Sequence, residues 1–91
     1  MQLESIIQRN DQVLFSKLNG EMLAIDSQAG YFYSMNITAG RIWELIANPL
    51  PVREICSILS KDFNVNAEQC EREVLQLLQN LLEAGLLKVN A

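Results

Sequence analysis

The hydrophobic period of this chain changes once, near residue 36, and that change restricts the fold more than any other feature. Before it, apolar residues fall in short runs with the period of a strand; after it, they recur every three to four residues. Val13–Leu18 reads as a strand. Asn19 and Gly20 follow, a strong hairpin signal because both residues tolerate positive φ. Glu21–Asp26 is the returning strand. Ser27, Gln28, Ala29 and Gly30 form a second turn, and Tyr31–Met35 a third strand rich in aromatics. Three strands joined by two short turns predict an antiparallel meander. Upstream, Leu3, Ile6 and Ile7 suggest a first extended segment.

Helical signals fill the rest. Asn36 or Thr38 can cap a first helix whose apolar positions are Ile42, Trp43, Leu45 and Ile46. Asn48, Pro49, Leu50 and Pro51 end it, and Pro51 suits the first turn of a second helix carrying Val52, Ile55, Cys56, Ile58 and Leu59 and ending near Phe63. Asn66 caps a third helix over about residues 67–84, with Gln69 in the N3 position of a capping-box-like pair and Gly85 as its C′ stop. Leu86–Val89 is then a short extended tail. The fold class expected is α+β and winged helix-turn-helix-like: an N-terminal three-stranded antiparallel sheet packed on a three-helix bundle. At 91 residues this is one domain, 1–91.

The third helix has an unusually wide apolar face. At about 100° per residue, Cys70, Val74, Leu75, Leu77, Leu78, Leu81 and Leu82 span an arc of roughly 160°, where a helix packed on one neighbour needs about 100°. Either the helix is central, or one flank is open to a partner, and the two can hold along different turns.

Chemistry is mostly missing. The chain has no histidine, hence no neutral imidazole base or metal ligand. Cys56 and Cys70 form no CxxC pair and read as small core residues. No phosphate-cradling glycine motif occurs. Glu68, Glu71 and Glu73 read as a solvated face, as do Lys61 and Arg72. No catalytic constellation and no cofactor are therefore expected. A net charge of -4 with scattered cations argues against nucleic-acid binding. No apolar stretch is long enough to span a membrane, and Met1–Ser5 lacks the features of a signal peptide, so a cytoplasmic protein is expected.

One segment carries a family likeness. It runs from Asp26 through Gly30, the aromatics Tyr31, Phe32 and Tyr33, then Met35 and Asn36, to Ala39, Ile42, Trp43 and Leu45. This resembles the PqqD-like proteins, whose pattern is an Asp, a turn Gly, an aromatic pair, Leu-Asn and a helix reading Ala-x-x-Ile-Trp-x-Leu. Met35 stands where the family usually has Leu. The ending Leu82, Glu83, Ala84, Gly85, Leu86, Leu87 also fits, and the likeness covers about residues 13–89. The resemblance implies a RiPP recognition element, a domain that binds the leader of a ribosomally made precursor peptide. Its partners would be that leader peptide, a leader peptidase and a macrocyclase, as in lasso-peptide pathways. The pyrroloquinoline quinone branch of the family, which serves a radical enzyme, is the alternative, and a winged-helix DNA-binding regulator another.

The family's mode of binding implies a guest antiparallel to the third strand, beside the third helix. Carried onto this chain, that means the backbone of Tyr31, Phe32, Tyr33, Ser34 and Met35, with Val74, Leu77, Leu78 and Leu81 as cleft wall. Independently, a meander has two edge strands whose unpaired N–H and C=O groups can accept an extended peptide. Alternation puts Tyr33 and Met35 towards the helices and Phe32 on the outer face, where a short N-terminal strand could cover it. Ile42 and Trp43 are expected in the core, and Asp26 at a strand end.

Overall fold

The computed structural model describes residues 1–19, 21–26 and 30–90. Gly20 and the turn residues Ser27, Gln28 and Ala29 lie outside the described residues. The elements are β1 (Ile6–Arg9), β2 (Val13–Leu18), β3 (Glu21–Asp26), β4 (Tyr31–Met35), α1 (Ile37–Leu45), β5 (Leu50–Pro51), α2 (Val52–Phe63), α3 (Ala67–Glu83) and β6 (Leu87–Asn90).

The expected meander is present as an antiparallel sheet in the order β2-β3-β4. Its register runs Leu14 opposite Ile25 opposite Phe32, and Phe15 opposite Ala24 opposite Tyr33. Asn19, at φ 53°, takes the left-handed conformation its side chain tolerates. A second sheet was not anticipated. It is antiparallel in the order β5-β1-β6, with Ile7 opposite both Leu50 and Val89. The C-terminal tail is thus a strand, paired along its length with the N-terminal segment.

Local chemistry sets the helix ends. Asn36 Oδ1 accepts from Ala39 N at 2.8 Å, starting α1. Asn66 Oδ1 accepts from Glu68 N and Gln69 N, starting α3. The Gln69 side chain donates forward to Glu73 at 3.2 Å, so the reciprocal half of the capping box is replaced by a pair one turn on. Gly85, at φ 79°, closes α3. Leu86 N donates to Leu81 O and Gly85 N to Leu82 O, each at 3.0 Å, the double bond of a Schellman turn. Pro51 is not in the first turn of α2 but one position before it, at ψ 148°. There it leaves Val52 N and Arg53 N to be satisfied by the carbonyls of Ser5 and Leu3, each at 2.9 Å.

One hydrophobic cluster joins all these elements. Ile7, Val13, Met22, Ala24 and Met35 from the sheets meet Ile42 and Trp43 of α1, Val52, Ile55 and Leu59 of α2, and Cys70, Val74, Leu78 and Leu81 of α3. Ile42 and Trp43 are core residues, as expected. Arg9 connects the two sheets. Its Nε and Nη2 donate to the Trp43 carbonyl at 2.9 and 2.6 Å, and its guanidinium lies 4.5 Å from the Phe15 ring centroid and 4.9 Å from that of Trp43.

Candidate functional site

β4 is an end strand. One side pairs with β3 from Asp26 opposite Tyr31 to Met22 opposite Met35. The other side has no strand partner among the described residues, so a row of backbone donors and acceptors is open there. Alternation sets the side chains. Met35 is buried, and Tyr33 is half-buried against the core. Phe32 and Ser34 point the other way and are exposed. Phe32 is not covered: β1 pairs within the second sheet instead, leaving Phe32 71% accessible.

The α3 residues divide. Leu78 and Leu81 are fully buried and present no surface to a guest; they support the wall from behind. Val74 is almost buried but lines a hollow of about 240 Å³, and Leu77 is half-buried and lines the same hollow. Thr38, Leu59, Phe63 and Val65 complete most of it, where the end of β4 passes into α1. Of the residues named from sequence, the structure therefore brings Val74 and Leu77 together at one hollow, which Thr38, three residues beyond Met35, also lines. Thr38, Phe63 and Val65 were missed. Phe63 carried no signal beyond closing a helix, and it comes to the hollow only because Asn64 turns left-handed (φ 50°) and sends the chain back towards α3. Ile37, 79% accessible, stands next to Thr38.

Charge around this end is paired and peripheral. Arg41 Nε donates to Asp62 at 2.8 Å, which raises the Arg41 pKa, and Lys17 sits 3.9 Å from Glu44. The hollow itself is mainly apolar, with Glu73 at its rim. Burial pushes the Cys56 thiol up to about 11 and also raises that of Cys70, so neither is a thiolate nucleophile at neutral pH. Among the described residues there is no cluster of His, Cys, Asp and Glu that could hold a metal ion. No helix among them is long and apolar enough to cross a membrane. What the arrangement can do is hold an extended chain: backbone groups along β4 for affinity, and an apolar hollow at one end for a side chain.

No curated protein matches this sequence. Two solved structures share its fold. One, described as TbiB1 in complex with the TbiA(beta) leader peptide, is 23% identical at a TM-score of 0.84, with 92% of this chain and 98% of that chain covered. The other, lasso peptide synthetase B1 complexed with the leader peptide, is 17% identical at a TM-score of 0.75, covering 90% and 96%. The sequence model described as coenzyme PQQ synthesis protein D (PqqD) matches residues 18–87. That span reaches from the first hairpin to the final strand, and the chain belongs to the PqqD family.

Proposed function

We propose that this protein is a RiPP recognition element: it binds the leader segment of a ribosomally made precursor peptide as an added antiparallel strand on β4. It then presents that peptide to a leader peptidase and a macrocyclase of the lasso type, in the cytoplasm, and takes no catalytic part itself. The observation that carries the reading is the β4 edge without a strand partner among the described residues, together with an apolar hollow lined by Phe63, Val65, Val74 and Leu77 and by Thr38, three residues beyond the end of β4. Membership of the PqqD family supports it, as do the leader peptides in the two structures of the same fold. Lasso peptides are favoured over the quinone branch because both of those structures come from leader complexes and one is named a lasso peptide synthetase component.

The test is titration of a labelled synthetic lasso-type leader, the TbiA(beta) leader peptide of the related complex included, with proline substitutions on β4. Successive amides of an end strand point alternately to the neighbouring strand and to the open side. Of Phe32→Pro and Tyr33→Pro, one removes an outward donor, leaves the fold intact and abolishes binding; the other breaks the β3–β4 ladder. Unchanged affinity in whichever proline variant keeps the fold refutes strand addition. A winged-helix DNA binder would need a basic face, whereas α3 opens with Glu68, Glu71 and Glu73. Retention of duplex DNA on a filter at low salt would favour that reading instead.

A further inference from the structure

The sheet β2-β3-β4 has a second end strand. β2 pairs with β3 on one side, and among the described residues no strand lies on the other. Val13, Phe15 and Lys17 share the face of β2 that turns towards α1. Val13 is in the core, Phe15 meets Trp43 edge to face at 5.5 Å, and Lys17 sits 3.9 Å from Glu44. Of the three, only Val13 is buried. Phe15 is 46% accessible and the Lys17 side chain 62%, so β2 overhangs the helices and the inner side of its edge stays open. Beside it is a cleft of about 410 Å³, whose lining includes Arg9, Asn10, Phe15, Ile46 and Pro49.

The chemistry of this cleft suits a negative charge. A guanidinium has five N–H groups, and the two bonds to the Trp43 carbonyl leave three for another acceptor. Those bonds and the stacking on Phe15 and Trp43 already fix the Arg9 side chain, so a guest does not have to order it. Among the described residues no carboxylate forms an ion pair with it. Asp11, also on the cleft, lies 4.0 Å from Lys88, and Glu44 faces Lys17. Partial burial lowers the Arg9 pKa, and Glu44 offsets that only in part. A lysine on an end strand deters pairing with a second copy, but it attracts an acidic strand. β4 has no charged residue from Tyr31 to Met35, so the two edges ask for different guests.

Register says how such a guest is read. A strand added to β2 sets one side chain beside Phe15 and the residue two positions away beside Lys17. The first comes within reach of the Arg9 guanidinium, which lies 4.5 Å from the Phe15 ring centroid. We infer that the β2 edge and the Arg9 cleft form a second peptide-binding site, for an extended segment of a partner protein with acidic residues at alternate positions. One carboxylate accepts from Arg9 and the next from Lys17, while backbone groups pair along β2. The site stands apart from the leader-binding reading: it uses the opposite edge of the sheet and needs no leader.

The experiment uses the full isotope-labelled chain and three synthetic peptides, acetylated and amidated at their ends, in low-salt buffer. The first reads Thr-Val-Glu-Val-Glu-Val-Thr. The second has glutamine for both glutamates. The third reads Thr-Val-Val-Glu-Glu-Val-Thr, which puts its two carboxylates on opposite faces of a strand. Affinity is read by fluorescence anisotropy of each peptide carrying a dye, and location by NMR shifts of the backbone amides and of the Arg9 Nε–H. The first peptide is expected to bind saturably and to shift the Arg9 Nε–H and amides within Val13–Leu18, leaving Tyr31–Met35 unchanged. The glutamine peptide should bind at least about tenfold more weakly, and the third at least about threefold more weakly. Lys17→Gln, an exposed change that keeps the fold, should weaken the first peptide by about threefold. Equal binding by either control peptide, absence of saturable binding, or shifts confined to Tyr31–Met35 would overturn the inference and leave the leader-binding reading untouched.

Discussion

Removing Arg9 is the sharpest test of how the two sheets are held together. Its guanidinium donates twice to the Trp43 carbonyl, at 2.9 and 2.6 Å. Trp43 is in the last turn of α1, where carbonyls lack intrahelical donors and the helix dipole is negative. No basic residue of α1 itself occupies that turn, so the cation comes from β1. Hydrogen bonds from a charged group contribute about 1.5–3 kcal/mol, and the stacking on Phe15 and Trp43 about 0.5–2 kcal/mol. These contributions are not additive, because the same geometry serves both. Arg9→Ala is expected to cost about 3 kcal/mol. Arg9→Lys, which keeps the charge but not the planar fork, costs about half of that. Urea unfolding followed by the fluorescence of Trp43, the single tryptophan, reads it directly. With a slope of about 1.5 kcal/mol per molar, the alanine midpoint falls by about 2 M. A loss below about 0.5 kcal/mol would show Arg9 to be merely solvated and the link between the sheets to lie elsewhere.

Other substitutions separate the roles of neighbouring residues. Leu78→Ala, in the core, is expected to cost about 2–5 kcal/mol in the same urea experiment. Leu77→Ala, one residue away on the hollow, costs under about 1.5 kcal/mol but weakens leader binding by about tenfold in the anisotropy titration. Asn66→Ala removes the acceptor of two amides and lowers stability by about 1 kcal/mol, read as a shift in the thermal midpoint. The Glu4 carboxyl is held below the ordinary glutamate range, first by its hydrogen bond from Arg53 at 2.7 Å. A depressed folded-state pKa contributes stability above the unfolded value, and that contribution is lost as pH falls through the folded value. The pair is fully exposed, so its visible sign is an NMR titration shifted to lower pH, returning to the ordinary range in Arg53→Gln.

Much of this architecture was legible because it is local. Asn36, Asn66 and Gly85 act on residues within one turn, and all three sit at helix ends as their chemistry requires. The meander followed from three short strand-like runs and the two turn signals that join them. The second sheet escaped because Ile6 pairs with Asn90 and Arg9 with Leu87, partners separated by nearly the whole chain, and four-residue runs carry too little pattern to announce it. The same distance hides Arg9: nothing adjacent to it shows that Phe15 and Trp43 will meet around its guanidinium.

The site divides along the same line. The β4 edge could be read from strand order, but periodicity on α3 gives an arc and not its occupants. Leu77 and Leu78 both belong to that arc, and only the path of α2 into Asn64 decides that the first borders a hollow and the second is sealed. Phe63 belongs to the hollow for the same tertiary reason.

The central claim is that a leader peptide becomes the fourth strand of the β2-β3-β4 sheet. Residue-resolved amide hydrogen exchange, with and without saturating leader, tests it most directly. Alternate amides of Tyr31–Met35, those not already bonded to β3, should slow by about a hundredfold or more in the complex, while amides along the opposite edge strand β2 do not change. Protection that leaves Tyr31–Met35 unchanged, or that falls on Val13–Leu18 instead, would contradict it.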